Sequence, residues 1–432
     1  MQAEVSINRP IVQLSAAVLL LLAVRMILPW DEGLGMTAFF ALLIPFFFLL
    51  RWPHTPGALF TGLCVLMLGK LVYAMTTDPL AGPDEIHYYE QVVEFERLGD
   101  FLPYAWEHIV TQWHNISAYP MFGLLYMPFF KWMEIEGPLP IILLNTVLLI
   151  LTVNQTYRLN ANYFRYALPG LRTGGIGGDA GETGEPSLRF HAIVIFGLLV
   201  SPSLMYMSSL FAKDVTCVLL GVYGAALLLR KKYVWFVVVL LYATGLRDYA
   251  IVYTVCFWLL YTQRFRTAIA VMMAALGILV VQIGPTALVN TAMLTVFLFV
   301  SPNPANLANW SPELLLRTLE AVWMSIWVGV SALLFMRYRE TRKFYAIAFV
   351  LLFIYAATLV LVGYVTITGR ELEYGVGTIG DNMVRKKLPI LPLVYTMNAY
   401  TLLWFFRWCR DSLTSRAGKR PVRTWKADSP GT

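Results

Sequence analysis

Apolar runs alternate with short polar interruptions along nearly the whole chain, and most runs are long enough to form a buried helix. They fall at roughly 11–28, 36–50, 58–75, 138–157, 190–210, 215–230, 233–246, 249–262, 267–284, 319–335, 344–364 and 389–408. A helix needs about 17 to 25 predominantly apolar residues to cross the hydrocarbon core of a bilayer. The pattern therefore predicts an all-α polytopic membrane protein. Residues 1–432 read as a single transmembrane domain, a bundle of about 12 transmembrane helices with short amphipathic helices in the outer loops.

The polar interruptions carry a directional signal. Arg51, Arg158/Arg165/Arg172, Arg230-Lys231-Lys232, Arg264/Arg266 and Arg337/Arg339/Arg342/Lys343 fall on one side of the thread, as does the tail from Arg407. Basic loops stay cytoplasmic, so both termini are expected there. The segments 76–137, 285–318 and 365–388 are then outer loops, 161–188 a flexible cytoplasmic loop and 409–432 a cytoplasmic tail. For this thread to hold, the apolar stretch 286–300 has to remain on the outer side as an interfacial or re-entrant piece.

Composition supports this reading and narrows it. The chain has 432 residues, of which 58% are hydrophobic and 14% charged, where a soluble domain carries about 25% charged. The net charge of +7 is spread over clusters between spans, which sets topology and argues against nucleic acid as a partner. Run 11–28 follows Arg9 and lacks a small-x-small site, so it reads as a retained span. Cys64, Cys217, Cys256 and Cys409 are scattered without CxxC spacing, which suggests neither a disulfide framework nor a zinc site. The Gly-rich loop contains Gly175, Gly177 and Ala180 at GxGxxA spacing, but no strand precedes it, so it is read as a linker.

Against so apolar a background, four charged points stand out. In "GPDEIHYYEQ", Gly82-Pro83 can start a helix whose first turn holds Asp84 and Glu85, where acids suit the helix dipole. A carboxylate at a membrane surface can also act as a general base or hold a divalent cation. Lys213-Asp214 interrupts an apolar hairpin. It reads either as a polar turn with Asp214 capping the next helix, or as a phosphate-binding Lys beside a site-shaping Asp. Arg247 lies on the outer side against the positive-inside trend, as do Arg370, Arg385, Lys386 and Lys387. Arginine suits phosphate through its two-pronged donor geometry, and a basic cluster beside a membrane attracts lipid headgroups. His87, His108 and His114 share the first outer loop with Glu85. These four residues are the candidate ligands of a divalent metal ion, the cofactor itself being otherwise unspecified.

The stretches "PDEIHYYEQV", "AYPMFGLLYMPFFKW", "PSLMYMSSLFAKDVTCVLL" and "RKKLPILPLVY" resemble motifs of the GT-C superfamily of integral-membrane glycosyltransferases. This group includes bacterial protein O-mannosyltransferases and the aminoarabinose transferases. The acidic motif comes after the third apparent span here instead of the first. The resemblance implies a GT-C-like bundle in a bacterial inner membrane with its active site on the outer face. It also implies inverting transfer of a sugar from a polyprenyl-phosphate-linked donor to a hydroxyl of a lipid, glycan or protein. Under it Asp84 is the base, Glu85 its support and Asp214 the second acidic position. His87, Tyr88 and Tyr119 are expected beside the substrate. Lys213, Arg247, Arg385, Lys386 and Lys387 are assigned to the donor phosphate on charge and location. A polysaccharide polymerase or O-antigen-type ligase, or a lipid-linked-sugar flippase, would fit the same span count.

Overall fold

The computed structural model describes residues 73–74, 77–95, 97–111, 118–133, 137–169, 188–369, 371, 373–376 and 383–417. The apolar runs 11–28 and 36–50, nearly all of 58–75, most of the Gly-rich loop, His114, Arg370 and residues 418–432 lie outside the described residues. Among the described residues all regular structure is helical and there is no strand. Five helices are long and apolar enough to cross a membrane: Pro140–Tyr163, Phe265–Ile283, Leu315–Arg337, Arg339–Thr368 and Met383–Ser412. Five shorter apolar helices of 10–17 residues accompany them. The expected dozen crossings therefore reduces, among the described residues, to five helices of spanning length and five that fall short of it.

In chain order the helices are α1 (Pro83–Glu94), α2 (Leu98–Thr111), α3 (Ala118–Met133), α4 (Leu139–Tyr163), α5 (Leu188–Val200), α6 (Pro202–Met207), α7 (Asp214–Leu229) and α8 (Tyr233–Leu246). They continue as α9 (Ala250–Thr262), α10 (Phe265–Ile283), α11 (Thr286–Val300), α12 (Leu315–Arg337), α13 (Arg339–Thr368), α14 (Met383–Lys386) and α15 (Leu391–Ala417). At about 1.5 Å per residue, the 30 residues of α13 extend some 45 Å. Helices α9, α10, α11 and α12 all pack along it, while α7 is wrapped by α4, α8 and α9. The centre of the bundle is aromatic. Phe344 and Tyr400 have ring centroids 4.2 Å apart, and Phe164 and Phe190 4.6 Å. By contrast Val234, Trp235, Val237, Val238 and Leu241 of α8 are exposed. A bundle with apolar side chains on its outside as well as in its core is compatible with a lipid surround.

One predicted run proves to be two elements. The apolar stretch 190–210 reads as continuous in the sequence, but the helix stops at Val200 and restarts at Pro202. Ser201 adopts φ −54°, ψ 111°, as a residue before proline must when the ring excludes the helical conformation. Its hydroxyl then accepts from the Leu204 N–H at 3.3 Å and caps the new helix. The stretch 286–300 forms one helix, α11, too short to span. Asn290 Nδ2 donates to the Tyr374 hydroxyl at 2.6 Å and to the Gly375 carbonyl at 3.2 Å. At the far end, the Ser301 carbonyl accepts from Lys387 at 2.9 Å. Both ends of α11 thus meet the 371–387 region.

A candidate anion and carboxylate site

The site is assembled from four helix ends. α1 begins where the sequence places it, with Pro83 in the first turn, followed by Asp84 and Glu85, and Gly82 as an uncapped extended N-cap. A Cβ at Gly82 would collide with the Glu85 carboxylate, so the glycine leaves room for Glu85 to fold back over the helix start. Tyr88 is buried on the inner face, its ring centroid 4.5 Å from that of Phe122 of α3 and tilted to it, and Phe122 in turn stacks 4.1 Å from Tyr126. The preceding loop is tied to the turn before α7, because the Phe211 N–H donates to the Pro79 carbonyl at 2.9 Å.

Asn145 of α4, fully buried, fixes the turn that delivers Lys213 and Asp214. Its amide donates to the Leu210 carbonyl at 3.0 Å and the Ala212 carbonyl at 3.2 Å, and its oxygen accepts from the Tyr126 hydroxyl at 2.8 Å. Tyr126 also hydrogen-bonds Thr216 in the first turn of α7. These bonds give buried turn carbonyls side-chain partners, the Leu210 carbonyl accepting from the Ala212 N–H at 2.9 Å as well. Arg247 occupies the break between α8 and α9, where the backbone is extended at φ −150°, ψ 119°. Two residues earlier, Gly245 allows α8 to lie against Met121 of α3, whose side chain a Cβ there would strike. The Tyr242 hydroxyl completes that contact by donating to the Met121 carbonyl at 2.9 Å.

The four ends converge on Asp214, whose side chain is 1% exposed. One carboxylate oxygen accepts from Arg385 Nε at 2.7 Å, and the other pairs with Arg247 Nη2. Arg247 Nη1 donates to the Tyr249 hydroxyl at 2.6 Å. Arg385 reaches outward as well, with Nη1 donating to Asp84 Oδ2 at 2.6 Å and lying 3.7 Å from Glu85. Asp84 is the open member of the group, its side chain 56% exposed. Lys213 lies beside them with its ammonium 5.6 Å from the Tyr88 ring centroid. That ammonium has no hydrogen-bond or ion-pair partner among the described residues. Burial first, and next the Arg247 guanidinium, push it down to about 7. Three cations and three carboxylates therefore meet, and among the described residues Lys213 makes no hydrogen bond or ion pair with the carboxylates of the group.

This geometry sorts the expected site residues. Asp84, Glu85, Lys213, Asp214, Arg247 and Arg385 are brought together. Asp214 is buried behind two guanidinium groups and pairs with both. Lys387 is a correction to the phosphate set: its side chain is 1% exposed and paired with Glu320 at 3.4 Å. Lys386 contributes its carbonyl, which accepts from the Tyr355 hydroxyl at 2.5 Å. Tyr88 lines the site from beneath, whereas His87 projects outward, 3.8 Å from Glu90. The Tyr119 side chain and all of His114 lie outside the described residues. Of the expected metal ligands only Glu85, His87 and His108 are described, and no group of three or more ligating side chains occurs among the described residues. His108 instead packs on Tyr104, with ring centroids 4.3 Å apart.

Two residues of consequence went unread in the sequence. Asn145 carries no signal beyond being a polar residue in an apolar run. Glu320 carries a stronger one, as an acid at the edge of a predicted span, where ionisable groups are costly. No family model, no curated protein and no solved structure matches this chain.

Proposed function

We propose that the chain is an integral-membrane glycosyltransferase of GT-C type. It would move a sugar from a polyprenyl-phosphate-linked donor to a hydroxyl of a lipid, glycan or protein on the outer face of a bacterial inner membrane. The supporting observation is one guanidinium, Arg385, shared between open Asp84 and buried Asp214, with the Lys213 ammonium alongside over the Tyr88 ring. Such a transfer needs a base for the acceptor proton and positive charge for the departing phosphate. Asp84 supplies the first, and Lys213, Arg247 and Arg385 the second.

In this reading the donor phosphate occupies the position beside Lys213 and competes with Asp84 for Arg385. The freed Asp84 carboxylate takes the acceptor O–H proton as that oxygen bonds to the anomeric carbon. The bond from that carbon to the phosphate oxygen breaks, and its electron pair stays with the phosphate, opposite the cations. One displacement inverts the anomeric centre. Asp214 is assigned the task of keeping two arginines at a fixed distance from each other, which preorganises the cationic side of the site.

Full-length protein in lipid nanodiscs, supplied with short-chain polyprenyl-phosphate sugars and a mixed hydroxyl-acceptor pool, tests the proposal by mass spectrometry. Glycosylated acceptor together with free polyprenyl phosphate is the expected product pair. Neither product from any donor, with the protein folded, would count against it.

A further inference from the structure

We propose that Glu320 is a positioning residue for Arg385, acting through Lys387 as a buried clamp on the segment that carries it. The clamp itself is independent of the glycosyltransferase reading; only its consequence for phosphate binding rests on it.

Arg385 stands on α14, a single turn of four residues, and a helix so short has little stability of its own. Its orientation therefore depends on the contacts around it, and the residues on its C-terminal side make one of them. Lys387, two residues on, is fully buried. Its ammonium donates to the Ser301 carbonyl at 2.9 Å and pairs with Glu320 at 3.4 Å. Glu320 in turn gathers donors from three directions. It accepts from the Ser201 hydroxyl at 2.5 Å, from the Ser203 N–H at 3.2 Å and the Ser203 hydroxyl, and from the Tyr395 hydroxyl at 2.7 Å. One carboxylate therefore joins the α5–α6 break, α12, the 383–390 segment and α15. The Tyr355 hydroxyl on the Lys386 carbonyl supplies a second hold from α13.

The register of this segment decides which way Arg385 points. Lys387 faces inward to Glu320 while Arg385 faces Asp84 and Asp214, so the two clusters are fastened to one stretch of backbone. A buried ion pair loses its compensation when one partner is neutralised. Loss of the Glu320 charge therefore loosens Lys387, and with it one of the constraints on Arg385.

Hydrogen exchange and lipid binding together test this in full-length protein in nanodiscs. In Glu320→Gln, amides of 383–390 should exchange at least about tenfold faster while α7 and α13 keep their protection. Binding of a polyprenyl phosphodiester probe should weaken about tenfold in the Arg385 background and not further in Arg385→Ala, since residues acting in series are not additive. Unchanged exchange at 383–390 overturns the clamp. Equal weakening in both backgrounds overturns action through Arg385. If the unaltered protein binds no probe, the functional reading falls and the exchange result alone decides the clamp. Should Glu320→Gln not fold, Tyr395→Phe, which removes one donor, is measured in its place with the same two readouts.

Discussion

Arg385 and Asp84 lie 301 residues apart in the chain and meet at 2.6 Å, with the opposite edge of the same guanidinium on Asp214. A planar fork can span two carboxylates in this way and a single ammonium cannot. Arg385→Lys should therefore keep the charge but lose the bridge. The expected outcome is a fall in transfer of about 10²-fold with the protein still folded, since misplacement of a charge by about 1 Å costs that much. Steady-state kinetics beside a melting curve would check it, and near-normal turnover would show that charge alone suffices.

Asp214 and Asp84 should separate stability from chemistry. Asp214→Asn leaves two guanidinium groups facing a neutral amide in a buried setting, which typically costs about 3–5 kcal/mol. Asp84→Asn removes an exposed carboxylate and should leave the thermal midpoint nearly unchanged. Thermal unfolding of both variants in the same detergent gives the comparison, and equal midpoints would contradict the structural part given to Asp214.

Asn145→Ala removes two carbonyl bonds from the 210–212 turn and one partner of Tyr126. The Leu210 carbonyl keeps the Ala212 N–H and Tyr126 keeps Thr216, so the main loss is at the Ala212 carbonyl, and a buried group left unpaired costs about 1–3 kcal/mol. The variant should melt lower and also bind a phosphodiester probe more weakly, because the turn carries Lys213. A stability loss with unchanged probe affinity would show that the turn does not need Asn145 to place Lys213.

Lys213 gives a pH signature. With its folded value near 7 and its ordinary value near 10.4, the unfolded chain binds more protons between these limits. The protein's contribution from this group is thus least favourable below about pH 7 and improves as pH rises toward 10. Anion binding runs the other way. A phosphodiester, which has no titration of its own there, should bind more weakly as pH climbs from about 7, and binding should take up a proton. Lys213→Met should flatten that profile, as followed by calorimetry in buffers of different ionisation heat. A profile that keeps its slope in Lys213→Met would assign the titration elsewhere.

Legibility in the sequence depends on how local each residue's role is. The α1 start was legible because Gly82, Pro83, Asp84 and Glu85 act locally on a helix terminus. Lys213, Arg247 and Arg385 stood out because charge is conspicuous in an apolar chain. Their convergence was not legible, since it depends on packing between α1, α7, the α8–α9 break and α14. Lys387 is not legible for the same reason: Arg385 and Lys387, two residues apart, face different carboxylates, and spacing does not say which. Of the loop histidines, His87 and His108 share a loop without sharing a direction, one lying by Glu90 and the other packing on Tyr104. The break at Ser201-Pro202 could have been read from the proline alone.

The most direct measurement is release of free polyprenyl phosphate, with matching glycosylated acceptor, by the unaltered protein and by Asp84→Asn at equal folded concentration. Loss of a positioned general base typically costs about 10²- to 10⁴-fold, so product is predicted from the first and a drop of that size in the second, with the fold intact. Equal product from both would contradict the place of Asp84 at the centre of the chemistry.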